Sequence, residues 1–149
     1  MKNEEEVTLP MKRVIPEEET RVDLGDNRLV SVSVYRGRSY VDIREFFYIE
    51  SGELRPTKKG IALKPAEWNQ LLEVASRINA DVKKTPKEEN KIEVGENRFG
   101  SVSSYKGRQY VNIREYYTDE SGRMRPSNKG ISLKPEEWKK LLTAGDSIS

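Results

Sequence analysis

Two short segments of the chain place an aromatic side chain beside two cations. They are Tyr35-Arg36-Gly37-Arg38 and Tyr105-Lys106-Gly107-Arg108, and neither contains a carboxylate. Nucleic-acid bases stack on aromatic faces, and neighbouring cations can follow a phosphate backbone. A solubilising hairpin tip is the plainer interpretation. Recurrence of the same residue types seventy positions later favours a shared binding function.

A second basic segment follows each of these. It reads ELRPTKKG from Glu53 to Gly60 and RMRPSNKG from Arg123 to Gly130. A turn would explain the shared proline and glycine, but it does not explain the cations. With Phe47 and Tyr117 shortly before, these cations suit a groove for single strands, because a duplex hides the faces of its bases. The candidate nucleic-acid-binding residues are Arg28, Tyr35, Arg36, Arg38, Phe47, Arg55, Lys58, Lys59, Arg98, Tyr105, Lys106, Arg108, Tyr117, Arg125 and Lys129.

Other chemically interesting residues favour structural interpretations. Arg44-Glu45 and Arg114-Glu115 lie within predicted strands, where an ion pair across the sheet or between repeats competes with direct ligand contact. Trp68 and Trp138 are predicted core anchors. The carboxylates form no recurring pair that suggests a general acid and base, and the glycine-containing segments lack the Gly-Lys-Ser/Thr ending of a phosphate-binding loop.

The composition excludes several classes of site. The 149 residues include no cysteine and no histidine, which rules out thiol nucleophiles, histidine-based triads and Cys/His zinc sites. We therefore expect no enzymatic activity, cofactor or metal. A net charge of +2 is too small to indicate a nucleic-acid partner by itself. No apolar run reaches the ~20 residues of a membrane span and the acidic N-terminus is unlike a signal peptide, so we expect a soluble intracellular protein without a membrane partner.

The chain contains a tandem duplication. Residues 25–72 align with 95–142 without a gap, and a direct count gives 29 identities in 48 positions. We expect an acidic flexible tail over 1–20, a first module over 21–82, a linker over 83–90 and a second module over 91–149. A module of about 60 residues buries only a marginal core alone, so each module is expected to need a partner surface.

Each module is predicted to form a curved antiparallel sheet of about four strands. Arg28 to Tyr35 alternates valine with serine, the period of a strand with one buried and one solvent face. Arg36-Gly37 is a two-residue hairpin loop, where a primed turn requires positive φ. A turn at Glu50-Ser51-Gly52 precedes the basic segment, and a short extended piece follows from Gly60 to Leu63.

One amphipathic helix is predicted to follow each sheet. Pro65 suits the first helical position, although Lys64 is a poor cap. Apolar residues at helical spacing then continue to Val82. In the second module, Gly145 is expected to shorten the helix. The fold class is therefore α+β.

The motifs in both repeats resemble one known family. The strings YKGRQYVNIREYY and ESGRMRPSNKGISLKPEEW, with their first-repeat counterparts YRGRSYVDIREFF and ESGELRPTKKGIALKPAEW, are similar to the C-terminal domain of the positive-cofactor-four family of transcriptional coactivators. The resemblance covers both modules. It implies binding of single-stranded or melted DNA in the nucleus, a partnership with the transcription machinery, and homodimers whose β-ribbons form the DNA channels. It places the ribbon aromatic on Tyr35 and Tyr105, the ribbon cations on Arg36, Arg38, Lys106 and Arg108, and the loop cations on Arg55, Lys59, Arg125 and Lys129.

Three departures from the family pattern shape the expectations. Phe47 and Tyr117 stand where the family often has tryptophan, and a short acidic segment stands where some members have a Ser/Lys-rich regulatory region. Two modules in one chain suggest an intramolecular pseudo-dimer. Genome maintenance, single-stranded RNA binding and a protein-interaction scaffold remain alternatives. Measuring affinity at rising salt distinguishes a scaffold from a nucleic-acid-binding protein, because phosphate binding weakens steeply with salt.

Overall fold

The computed structural model describes residues 21–84 and 90–148, the last three of them as backbone only. The expected acidic tail and most of the expected linker therefore lie outside the described residues. Each repeat forms a four-stranded antiparallel sheet in simple sequential order. The strands are β1 (Val22–Gly25), β2 (Arg28–Tyr35), β3 (Arg38–Tyr48), β4 (Leu54–Leu63), β5 (Ile92–Gly95), β6 (Arg98–Tyr105), β7 (Arg108–Thr118) and β8 (Met124–Leu133).

The basic segment is part of a strand, which corrects the predicted loop. β4 runs without interruption from Leu54 to Leu63, and β8 does the same in the second repeat. Pairing with β3 shifts between Arg44 and Phe46, where Arg44 faces Gly60 and Phe46 faces Pro56. Three residues of β4 thus stand opposite one residue of β3. This β4 bulge, Thr57–Lys59, is what lifts the two lysines out of the regular ladder.

The helices are α1 (Pro65–Glu73), α2 (Ala75–Lys84) and α3 (Pro135–Ile148). The single long helix predicted for the first repeat is therefore wrong, because the chain kinks at Val74, which has φ −94° and ψ 6°. α3 has 14 residues, so the helical segment of the second repeat is shorter than α1 and α2 together, with 9 and 10 residues. Gly145 does not end the helix, however, since α3 continues through it to Ile148. Gly145 is buried, and the space beside its Cα is occupied by Leu72 of the first repeat.

A glutamate caps α1 and another caps α3, although Lys64 was expected to be a poor cap for the first helix. The backbone N–H of Lys64 donates to Glu67 Oε1 at 2.9 Å, and the backbone N–H of Lys134 donates to Glu137 Oε1 at 2.8 Å. In both cases a carboxylate at the third helical position reaches back to the residue before the helix, as in half of a capping box. Both glutamates are buried.

The two repeats pair within one chain, and each helix packs on the other repeat's sheet. α1 lies against β5 and α2 against β6, while α3 lies against β1. β4 and β8 lie side by side at the boundary. Trp68 and Trp138 are 2% and 1% exposed, which confirms them as core anchors, and Trp138 Nε1 donates across the boundary to Asn79 Oδ1 at 2.7 Å. The α+β fold and the pseudo-dimer are thereby confirmed.

The pseudo-twofold symmetry is broken inside this shared core. Val30 in β2 corresponds to Gly100 in β6, and both positions are buried. A Cβ added at Gly100 would lie 2.9 Å from Ile78 Cδ1 of α2. The glycine therefore makes room for an isoleucine of the other repeat, which is itself completely buried.

The outer face of β2 is less exposed than its alternating pattern predicts. Ser31 and Ser33 are 2% and 7% exposed, although they were expected to face solvent. Ser33 lies directly opposite Tyr40, and Ser31 opposite Asp42. The alternation of valine and serine therefore does not separate a buried face from a solvent face along β2. Within the described ranges, no helix is long and apolar enough to cross a membrane.

Candidate nucleic-acid interface

The hairpin tips carry the most exposed aromatic side chains of the candidate set. Tyr35 is 54% exposed and Tyr105 is 62% exposed. The guanidinium of Arg36 lies 5.2 Å from the centre of the Tyr35 ring, and the Lys106 ammonium lies 5.4 Å from that of Tyr105. Each tip therefore presents an open ring with a cation over it, in the same arrangement in both repeats.

The turns hold these cations in a costly backbone conformation. Arg36 and Gly37 have φ of 54° and 77°, and Lys106 and Gly107 have φ of 52° and 78°. Positive φ at both central residues is the primed turn expected from the sequence, in which asparagine or glycine is the usual first residue. A residue with a Cβ costs about 1–2 kcal/mol in this region. Keeping a cation there in both repeats suggests a role for its charge.

A second pair of aromatic and basic residues lies further along each sheet. Phe47 stands directly opposite Arg55, and Tyr117 stands opposite Arg125. Both rings are about half exposed, at 46% and 53%. About nine residues of strand separate this pair from the hairpin tip, so the two pairs of one repeat are about 30 Å apart. The register also gives Tyr35 and Phe47 opposite faces of the sheet.

Each of these arginines is held by a carboxylate, but the carboxylates differ. Arg55 pairs with Glu53 at 3.1 Å. Arg125 pairs with Asp119 at 2.8 Å, and this hydrogen bond lowers the pKa of Asp119 to about 2, with help from Ser121. Both arginines remain about half exposed. They are therefore oriented and still open to a phosphate.

The β4 bulge is anchored from beneath by Arg44. Arg44 Nη1 donates to the carbonyl of Thr57 at 3.0 Å, and the Thr57 hydroxyl bridges to the Glu45 carbonyl and to the Lys59 N–H. Gly60 permits this, because a Cβ there would lie 2.8 Å from the Arg44 side chain. This close approach, rather than a turn, explains the glycine. Lys58 and Lys59 are consequently exposed at the surface.

The second repeat keeps this anchor with fewer partners. Arg114 Nη1 donates to the Ser127 carbonyl at 3.0 Å. Arg44 also makes hydrogen bonds of 3.1 to 3.2 Å to the Asp42 carboxylate, whereas the matching residue in the second repeat is Asn112. That amide donates to Ser103 Oγ and accepts from Ser132 Oγ. Sequence reasoning left these arginines open between ligand contact and an ion pair across the sheet or between repeats. Arg44 instead pairs with Asp42 of its own strand, and Glu115 lies 3.9 Å from Arg98 across the sheet.

Arg28 and Arg98 join the two repeats. Arg98 Nη1 donates to Glu67 Oε1 at 2.9 Å and to the Ala62 carbonyl at 2.7 Å. Arg28 Nη1 lies 3.7 Å from Glu137 Oε2. Their side chains are only 22% and 18% exposed. Both glutamates thus cap a helix and hold an arginine of the other repeat, a role that only knowledge of the pairing between repeats would have suggested.

Two basic clefts lie at the β4–β8 boundary. The first seam cleft is lined by Lys59, Arg114, Arg28 and Glu45. The second seam cleft is lined by Lys129, Arg44 and Arg98. Lys58 and Asn128 line both, so both clefts contain residues of both repeats.

Among the described residues, no cluster of histidine, cysteine, aspartate or glutamate could hold a metal ion.

Comparison with known proteins finds relatives that each match about a third of this chain. A putative RNA polymerase II transcriptional coactivator of Caenorhabditis elegans is 53% identical over 51 residues, which are 34% of this chain and 41% of the relative. The RNA polymerase II transcriptional coactivator of Drosophila melanogaster is 49% identical over 51 residues, 34% of this chain and 46% of the relative. The chain thus spans less than half of these relatives' length.

Solved structures and a family assignment complete the comparison. The crystal structure of a MoSub1-ssDNA complex in phosphate buffer aligns with a TM-score of 0.41 and 28% identity, over 46% of this chain and 81% of that chain. The family described as Transcriptional Coactivator p15 (PC4) matches twice, at residues 22–74 and 92–144. These two segments are more than half of the sequence and cover both sheets, α1 and most of α3, whereas α2 lies beyond the first match. The resemblance seen in the motifs is confirmed, and the chain belongs to the PC4 family with the family domain present twice.

Proposed function

We propose that this chain binds single-stranded or melted DNA without catalysing a reaction. One observation carries the proposal: both repeats present an exposed tyrosine under a cation at the hairpin tip, Tyr35 with Arg36 and Tyr105 with Lys106. Open rings accept unpaired bases, and cations beside them neutralise phosphates. A duplex hides its base faces, so the preference is for single strands.

The remaining candidates divide into contact residues and supports. Arg38, Arg108, Lys58, Lys59 and Lys129 are exposed cations that would follow the backbone. Phe47 with Arg55 and Tyr117 with Arg125 would form a second stacking point on each repeat. Arg28 and Arg98 contribute chiefly by joining the repeats.

The biological role we propose is that of a transcriptional coactivator acting in the nucleus. Its support is membership of the PC4 family and the names of the relatives, which are RNA polymerase II transcriptional coactivators. The relatives are matched over less than half of their length, so contact with transcription machinery is part of the proposal. Genome maintenance is the other process in which open strands occur.

Fluorescence anisotropy with labelled oligonucleotides tests the binding. Single-stranded DNA, its duplex and single-stranded RNA of the same sequence are titrated at two salt concentrations. We expect the single-stranded DNA to bind more tightly than the duplex, and its affinity to fall steeply with salt. Equal affinity for duplex and single strand would contradict the proposal. Tighter binding of RNA than of single-stranded DNA would favour RNA as the ligand. Salt-insensitive binding would favour a protein-interaction scaffold.

A further inference from the structure

The two seam clefts occupy equivalent positions in the two repeats but differ in how firmly their arginines are held. Arg114 of the first cleft corresponds to Arg44 of the second, and Arg28 corresponds to Arg98. A homodimer would make two such clefts identical. In this chain the arginines of the two clefts differ in their hydrogen-bond partners.

The first difference concerns the arginine beneath each β-bulge. Three hydrogen bonds tie Arg44 to the Asp42 carboxylate. The carboxylate both neutralises the guanidinium and occupies its donors. Asn112 replaces that carboxylate beside Arg114 and directs its amide towards Ser103 and Ser132. Within the described part of the chain, Arg114 has no carboxylate at ion-pair distance.

The second difference concerns the arginines that join the repeats. Arg98 is bound to Glu67 at 2.9 Å, to the Ala62 carbonyl at 2.7 Å, and to Glu115 at 3.9 Å. Arg28 has the looser contact with Glu137 at 3.7 Å. Its Nε is buried and, among the described residues, has no hydrogen-bond partner. Because of both differences, the arginines of the first cleft have fewer of their N–H groups paired with carboxylates than those of the second cleft.

The first cleft also contains one negative charge, which would disfavour an anion there. Glu45 lines the first cleft, and its Oε1 is buried without a described partner. The cleft also contains Lys58 and Lys59, so the cations outnumber the carboxylate. In the second cleft, Glu67, Glu115 and Asp42 already engage both arginines.

We propose that the first seam cleft is the stronger of two unequal phosphate sites, an inference that rests on the proposed binding of single-stranded DNA. Arg114, Lys58 and Lys59 bind a backbone phosphodiester there. Asp42 weakens the second cleft by occupying Arg44, so Asp42 and Asn112 are positioning residues that set the inequality. A strand is therefore held more tightly at one side of the boundary than at the other.

Exchanging the two positioning residues tests the inference. Asn112→Asp gives Arg114 the partner that Arg44 has, and Asp42→Asn frees Arg44. Each residue already occurs at this register position in the other repeat, so both variants are expected to fold, which circular dichroism checks. Asn112→Asp should weaken binding of single-stranded DNA about two- to fivefold and Asp42→Asn should strengthen it by a similar factor, the range for one partly exposed ion contact.

Salt dependence separates phosphate contact from a structural effect. The slope of log affinity against log salt changes by about 0.7 for each phosphate contact with a single strand. We expect a shallower slope for Asn112→Asp, a steeper one for Asp42→Asn, and a slope near that of the wild type for the double exchange. Unchanged slopes, or shifts of the same sign in both single variants, would overturn the inequality. A wild-type chain that binds no single strand would instead overturn the proposed function.

Discussion

The two repeats are nearly the same at their hairpin tips and different where they meet. Tyr35 and Tyr105 are exposed to similar extents, each under a cation from a turn with the same backbone angles. At the boundary, by contrast, Val30 corresponds to Gly100 and Asp42 corresponds to Asn112. The proposed contact of both tips with the same kind of ligand would account for their similarity, whereas the boundary faces the other repeat.

Covalent linkage is what permits the difference. In a homodimer, a substitution that suits one side of the interface appears on the other side as well. Here Ile78 of the first repeat needs space, and Gly100 of the second repeat supplies it. The boundary between the repeats can therefore change on one side alone.

The contrast between the tips and the boundary depends on pairing of the two repeats within one chain. We expect the purified protein to have the mass of one chain at low micromolar concentration, because each repeat's helix already covers the other repeat's sheet. Light scattering or sedimentation measures this. A stable particle of two chains would contradict pairing within the chain.

The largest effect of a single substitution is expected at Ile78. Its side chain is fully buried between the repeats, so Ile78→Ala should lower the free energy of unfolding by about 2–5 kcal/mol. Urea denaturation followed by circular dichroism provides the measurement. Gly100→Val alone should cost about 1–3 kcal/mol by overpacking.

Combining the two substitutions is the control. A valine at position 100 can occupy part of the space that Ile78→Ala empties, so the double variant should be more stable than the sum of the two costs implies. Additive costs would show that Ile78 and Gly100 do not depend on each other.

The hairpin tips should respond equally. Tyr35→Ala and Tyr105→Ala are each expected to reduce affinity for single-stranded DNA by about 1–3 kcal/mol for each base that stacks there. Tyr48→Ala is a matched control, because this ring is 61% exposed but lies outside the candidate set. Anisotropy titrations compare the three. A loss confined to one tip, or equal to that of the control, would refute the equivalence of the tips.

Much of this architecture is predictable from one sequence, because the local signals agree. Alternating valines, the Arg36-Gly37 turn and the Trp68 and Trp138 anchors each identify an element without knowledge of the rest. The failures arise where a residue's role depends on a distant part of the chain. Gly60 was interpreted as a turn residue because its contact with the Arg44 side chain is a property of the paired strands.

Other residues also have roles that depend on the pairing of the repeats and could not be predicted from the sequence. Arg28 and Arg98 are basic residues near candidate cations, and only the packing of α1 and α3 on the opposite sheets shows that they meet Glu137 and Glu67. Ser31 is short and polar, so a period-two pattern predicts a solvent face for it. The capping role was readable from the sequence, because glutamate at the third position of α1 and of α3 is typical of a capping residue.

The two glutamates at the boundary should differ in their contribution to stability. Glu67→Gln is expected to cost about 1–2 kcal/mol, because it removes a charged partner 2.9 Å from Arg98. Glu137→Gln should cost less, since its partner Arg28 lies at 3.7 Å and burial raises the pKa of Glu137, which disfavours its charged form. Both glutamines can still accept the capping hydrogen bond. Thermal unfolding at pH 7 compares the variants, and equal losses would contradict the ranking.

The smallest effect is expected at an ion pair that exists in the second repeat alone. Asp119 holds Arg125 there, and the first repeat has Ile49 in its place. Because hydrogen bonds from Arg125 first, and then from Ser121 and Arg123, lower the pKa of Asp119 from 3.8 to about 2, the folded state favours the charged carboxylate. The contribution to stability is fully present above pH 3.8 and is lost as pH falls towards 2.

Denaturation midpoints of wild type and Asp119→Asn, measured from pH 6 down to pH 2, make this effect visible. The difference between them should be small, since the pair is exposed and screened by solvent, and it should shrink as the acid limit is approached. In an Arg125→Gln background the difference should be smaller at every pH, because the hydrogen bonds from Ser121 and Arg123 to Asp119 are then what remains. A difference that is independent of pH would mean that Asp119 shapes the turn through geometry alone, and the two repeats would then be electrostatically equivalent at their β-turns.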